Sequence, residues 1–61
     1  MGNKRWRCYV REGRAFRPTG SIGPELLAQQ PLSDGDYVKV RALPVGETFI
    51  DADGDKWVRT K

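Results

Sequence analysis

Near the start of the chain, cationic and aromatic residues interleave: Lys4-Arg5-Trp6-Arg7-Cys8-Tyr9-Val10-Arg11-Glu12-Gly13-Arg14-Ala15-Phe16-Arg17. Six of the 11 Lys and Arg lie in this stretch, opposed only by Glu12. The chemistry open to such a run is recognition rather than bond making. Planar guanidinium groups bind phosphate or carboxylate in a fixed fork geometry, and ring faces stack on bases. Residues 1–20 hold six cations against one acid, and residues 21–61 hold five against seven, so the net charge of +3 arises entirely in the first segment. A basic stripe flanked by aromatics is the electrostatic footprint expected for a polyanionic partner. The competing reading is a solvated strand face whose arginines pair with Asp34, Asp36, Asp51 or Asp55.

Other chemistries fail on spacing or on residue type. Asp51-Ala52-Asp53-Gly54-Asp55 has the look of a calcium loop. The EF-hand pattern needs glycine in the sixth place and a bidentate Glu in the twelfth. Here glycine is fourth, Lys56 is sixth, and the twelfth place lies past Lys61. No metal is expected. With one Cys and no His, neither an intrachain disulfide nor a Cys/His zinc site can form. Ser21, Ser33, the threonines and Cys8 lack a His base. Cys8 reads as a small buried hydrophobe, although its Arg neighbours would favour a lowered pKa. Thr19-Gly20-Ser21-Ile22-Gly23 lacks the Lys of a phosphate-binding P-loop. No catalytic residue and no cofactor are expected, and the chain reads as a non-enzyme.

The elements that would position the basic run are read from alternation and turn residues. Strands are expected at about 4–11, 14–17, 36–43, 47–51 and 56–60, separated by Glu12-Gly13, Pro18-Thr19-Gly20, Asp34-Gly35, Leu43-Pro44-Val45-Gly46 and Asp53-Gly54. A short helix over about 24–30 follows from Pro24 at a first helical position, Glu25 in the first turn and Pro31 as a stop. It would pack Ile22, Leu26 and Leu27 on the sheet as a plug. In the first strand Lys4, Trp6, Cys8 and Val10 share the core face, leaving Arg5, Arg7, Tyr9 and Arg11 outward. On the return strand Arg14 and Phe16 alternate with Ala15 and Arg17. In the third, Val38 and Val40 turn inward while Tyr37, Lys39 and Arg41 turn outward. The candidate binding residues are therefore Arg5, Arg7, Tyr9, Arg11, Arg14, Phe16, Arg17, Lys39 and Arg41. Val38, Val40, Phe49 and Trp57 are the expected core. At Asp53-Gly54 a two-residue turn would pair Ile50 with Trp57 and Asp51 with Lys56. A three-residue turn would pair Phe49 with Trp57 and Glu47 with Arg59, and the pattern does not choose between them.

At 61 residues the chain is one domain with a small core. No apolar run approaches the ~20 residues of a membrane span, no signal-peptide core is seen, and Trp6 stands where a myristoylation motif wants Ser or Thr. A free Cys in a chain of this kind fits a reducing cytoplasm. The stretch beginning Gly35-Asp36 and running on in alternating Val resembles strands of SH3-like and other small barrels. The fold class expected is all-β, a small five-stranded SH3-like barrel or bent antiparallel sheet with one short helix, an OB-like arrangement coming second.

The motif Gly46-Glu47-Thr48-Phe49, Asp53-Gly54, Trp57-Val58-Arg59 is similar to the C-terminal hairpin of small β-rich proteins encoded by bacteriophages and prophages. It spans residues 46–59 and specifies a hairpin, not an activity, so no functional residue carries over from it. The resemblance implies a protein that redirects a host factor in the host cytoplasm or serves the virion. From the residues themselves, the expected function is a non-catalytic binding module with nucleic acid as the first candidate ligand. The alternatives are docking on an acidic surface of a host protein, or an assembly subunit that self-associates through a strand edge.

Overall fold

Chain reversal at Gly13, which takes φ of 63° in the left-handed region, joins strands β1 (Trp6–Glu12) and β2 (Ala15–Ile22) in a tight hairpin closed by the Glu12–Ala15 pair. A side chain here would be strained by that φ, so glycine is the residue the turn requires. The computed structural model describes residues 3–61; Met1 and Gly2, read above as an ordinary chain start, lie outside them. After the hairpin come two helices, α1 (Pro24–Leu27) and α2 (Asp34–Arg41), and then strands β3 (Thr48–Ile50) and β4 (Lys56–Arg59). The four strands form one antiparallel sheet in the order β2-β1-β4-β3.

The core is made where both helices meet one face of this sheet. Trp6, Leu27, Val40 and Trp57 are buried, with Cys8, Ile22, Leu32, Tyr37 and Phe49 packed against them. Cys8, Trp57 and Phe49 are aligned across β1, β4 and β3. At ~25 cal/mol per Å², an indole burying 150–250 Å² contributes roughly 4–6 kcal/mol before conformational entropy is charged against it. Both indole N–H groups find acceptors: Trp6 Nε1 donates to the Val40 carbonyl at 2.9 Å, and Trp57 Nε1 donates to Asp51 Oδ2 at 3.0 Å.

The structure corrects the reading of residues 36–43. They are not a strand, and Asp34-Gly35 is not a hairpin turn: both belong to α2. Ser33 caps the helix, its Oγ accepting the Asp36 N–H at 3.2 Å. Asp34 and Asp36 lie in the first turn and Lys39 and Arg41 in the last, complementing the helix dipole at each end. Apolar alternation suggested period two, but only Tyr37 and Val40 of this helix pack on the core. Val38 is 62% exposed rather than buried. With that strand gone the sheet has four strands rather than five among the described residues, and β2 and β3 lie at opposite edges instead of meeting as barrel closure would require.

Smaller differences follow from position in the sheet. The second strand does not stop at Arg17 but continues through Pro18 to Ile22. Pro lacks an N–H, which an edge strand tolerates. Registry shifts between Arg7 and Tyr9, placing an extra residue in β2 at Thr19-Gly20, where the Thr19 hydroxyl donates to the Cys8 carbonyl at 2.8 Å. Helix α1 ends at Leu27 rather than near residue 30; Leu27 is buried, whereas Leu26 is 51% exposed. At the last hairpin the longer turn prevails, pairing Phe49 with Trp57. Arg59 N–H donates to the Glu47 carbonyl, but no Glu47–Arg59 ion pair forms among the described residues. The Arg59 guanidinium instead donates to the Leu43 carbonyl at 2.8 Å and lies over the Trp6 ring.

Candidate functional site

Strand alternation sends Trp6, Cys8, Trp57 and Phe49 to the helices, and so sends their neighbours to the opposite, helix-free face. Those neighbours are Arg7, Tyr9 and Arg11 on β1, Phe16, Pro18 and Ser21 on β2, Lys56 and Val58 on β4, and Thr48 and Ile50 on β3. None is a carboxylate.

Rings and cations on this face are already associated. Arg11 pairs with Phe16 across β1 and β2, and its guanidinium carbon lies 5.7 Å from the ring centroid. Lys56 pairs with Tyr9 across β4 and β1. Its ammonium lies 5.0 Å from the Tyr9 centroid and 5.0 Å from that of Phe16, so one cation spans two rings. Such contacts are worth about 0.5–1 kcal/mol each where exposed. They hold side chains in place without neutralising them. Arg7 sits between Ser21 and Val58, half-buried, its Nε enclosed without a hydrogen-bond partner.

The acids expected to neutralise these cations are turned to other uses. Asp51 Oδ1 accepts the N–H groups of Asp53 and Asp55 at 2.9 and 3.0 Å, and Oδ2 accepts the Trp57 indole. Asp36 Oδ2 accepts the Ala52 N–H, and Asp55 Oδ1 accepts the Arg11 N–H, each at 3.0 Å. Among the described residues the ion pair present is Arg17 Nε to Glu12 Oε2 at 3.2 Å, on the hairpin itself. The pairing of hairpin arginines with Asp34, Asp36, Asp51 or Asp55 is therefore not what the structure displays.

Not every sequence-derived candidate reaches this face. Arg7, Tyr9, Arg11 and Phe16 are brought together. Arg14 stands exposed in the hairpin turn, and Arg17 belongs to the helix-side set and pairs with Glu12. Arg5 is a tie between strand ends: its Nε and Nη2 donate to Ser21 Oγ and Ser21 O at 3.0 and 2.9 Å. Lys39 and Arg41 ride on α2, on the other side of the sheet. Lys39 lies 6.0 Å from the Phe49 centroid, and Arg41 donates to the Tyr37 hydroxyl. Arg41 and Arg5 share instead an open recess of about 550 Å³ beside Gly23, Glu25 and Leu26. Lys56 is the functional candidate that sequence reading missed. Its signal is non-local, because only the β1–β4 pairing sets it opposite Tyr9.

Cys8 is held as a thiol, and Asp51 is taken up by the turn it caps. Burial pushes the Cys8 thiol up to about 11, and the charges of Asp55 and Asp51 add to the shift. The neighbouring Arg7 points to the other face, so the acids win over the arginines. Among the described residues no group of three or more His, Cys, Asp or Glu is arranged to hold a metal ion, and no helix is long and apolar enough to cross a membrane. What the open face can do chemically is hold an anion with cations and receive flat apolar groups on its rings. No protein-family model matches this chain, and neither a curated protein nor a solved structure shows significant similarity to it.

Proposed function

We propose that this chain is a non-catalytic binding module that takes nucleic acid on the helix-free face of its sheet. One observation carries the reading: Arg7, Arg11 and Lys56 share a face with Tyr9 and Phe16 and with no carboxylate, while Asp36 and Asp51 accept hydrogen bonds from backbone amides elsewhere and Asp55 accepts the Arg11 backbone N–H. Unneutralised cations gain most from a partner that brings its own regular array of negative charge and releases counterions on binding. Rings set among them add a contact that a plain acidic surface would not use.

A titration of labelled oligonucleotides, single-stranded and duplex, at low salt tests this. Binding that weakens steeply with salt supports the reading, and no binding to either form refutes it. Self-assembly is the second reading, favoured by the eight residues of β2 at a sheet edge. It requires a mass above that of the monomer in sedimentation, insensitive to substitutions at Arg7 and Lys56.

A further inference from the structure

We infer that the nucleic acid taken by this face is single-stranded, with Tyr9 and Phe16 each receiving one base and Lys56 the phosphate between them. The inference rests on the nucleic-acid reading above and adds the form of the ligand. Its geometry comes from the register. Tyr9 is opposite Pro18, and Phe16 is opposite Arg11, so the two rings are diagonal neighbours on adjacent antiparallel strands. Diagonal positions are roughly 7–8 Å apart. Consecutive bases in one strand of a duplex are ~3.4 Å apart along the axis and cover each other's faces. Bases resting one on each ring therefore cannot be stacked on one another. The strand that carries them must be unstacked and extended.

Shape points the same way. The helices occupy the opposite face, so none is available to enter a major groove about 12 Å wide. The β1–β2 ribbon does run past β4, but one of its cations, Arg17, is already paired with Glu12. Both rings are half-buried, which fixes their position and leaves part of each in contact with solvent. The Lys56 ammonium is equidistant from the two centroids, which places a positive charge between the two proposed base positions. Its flexible stem lets it lift from the rings to a phosphate as bases settle on them.

The test compares a labelled single-stranded oligonucleotide of mixed sequence, its duplex, and an abasic strand of the same length, all at low salt. The single strand should bind about tenfold or more tightly than the duplex, and the abasic strand roughly five- to a hundredfold more weakly than the intact one. Tyr9→Leu and Phe16→Leu should each reproduce part of that loss for the single strand, about half of it on a logarithmic scale, and leave duplex binding unchanged. Lys56→Met should flatten the salt dependence of single-strand binding by about 0.7 in the log–log slope. Duplex affinity equal to or above that of the single strand overturns the inference but leaves the nucleic-acid reading standing. Equal affinity for abasic and intact strands also overturns it, and does so on the unmodified protein should a leucine variant fail to fold. No binding to any of the three removes both.

Discussion

The Trp57 indole donates to one oxygen of Asp51 while the other oxygen gathers the amides of Asp53 and Asp55. A single carboxylate thus fixes both the last turn and one of the two indoles of the core. This accounts for the choice of the longer hairpin turn, since Asp51 caps the N–H groups that a shorter turn would place elsewhere. Asp51→Ala should cost about 1–3 kcal/mol, because it leaves a buried indole N–H without an acceptor. Trp57→Phe should lose part of the same energy. The double variant should then show a coupling of roughly 0.5–3 kcal/mol in denaturant unfolding. Strict additivity would mean that the bond is incidental.

Two valines two residues apart should behave oppositely. Val40 is fully buried and Val38 is 62% exposed. Val40→Ala should cost about 2 kcal/mol and Val38→Ala less than about 0.5 kcal/mol. Ser33→Ala should cost about 1 kcal/mol through loss of the helix cap. Equal losses at the two valines would restore the strand reading of this segment.

Three cations on the open face set the expected salt dependence. With Arg7, Arg11 and Lys56 in contact with phosphates, the slope of log K against log salt should be about −2 for a single strand. Arg7→Gln with Arg11→Gln should reduce it to about −0.7 and leave the chain folded, with the melting temperature lowered only by the loss of the Arg11 contacts to Phe16 and the Gly13 carbonyl. Neither side chain packs in the core, and the enclosed Arg7 Nε has no partner to lose. An unchanged slope would move the contact surface elsewhere.

Alkaline pH should weaken the fold through Cys8. The thiol's ordinary value of 9.0 is raised to about 11 by burial and by the charges of Asp55 and Asp51. The unfolded chain therefore releases this proton first as pH rises. The stability linked to it is complete below pH 9 and is lost as pH climbs through about 11. Comparing urea unfolding of the wild type and Cys8→Ala across this window isolates the effect of this thiol. The difference between the two should shrink with rising pH. In the folded state, alkylation of Cys8 at neutral pH should be slow.

What could be read from the chain depended on whether the deciding interaction was local. Alternation in the first strand correctly put Trp6 inward and Arg7, Tyr9 and Arg11 outward, because a strand's two faces are set by its own residues. Tyr37-Val38-Lys39-Val40-Arg41 also alternates, yet it is helical. Ser33 and its acids cap it, and an eight-residue helix holds only by packing Tyr37 and Val40 on a sheet assembled from distant segments. Pro18 looked like a stop because nothing local reveals that its strand lies at an edge. Lys56 was missed for the same reason, and Lys39 and Arg41 were placed with the hairpin only because their segment was taken for a strand.

The central pair of the sheet joins the two ends of the sequence. Trp6 pairs with Arg59, and beyond it the Arg5 carbonyl accepts the Thr60 N–H at 2.9 Å. Forming this contact closes a loop of about fifty residues, at an entropic cost that grows as (3/2)RT ln n. The β1–β2 hairpin needs only its own residues and has no such wait. Folding should therefore be slow for so small a chain, and on the ribosome the basic hairpin should emerge and form well before β4 arrives to support it. Until then Tyr9 and Phe16 lack Lys56, and Trp6 has only β2 beside it. Linking the present ends and opening the chain between the helices would make the β1–β4 pairing local and should speed folding while leaving the open face intact.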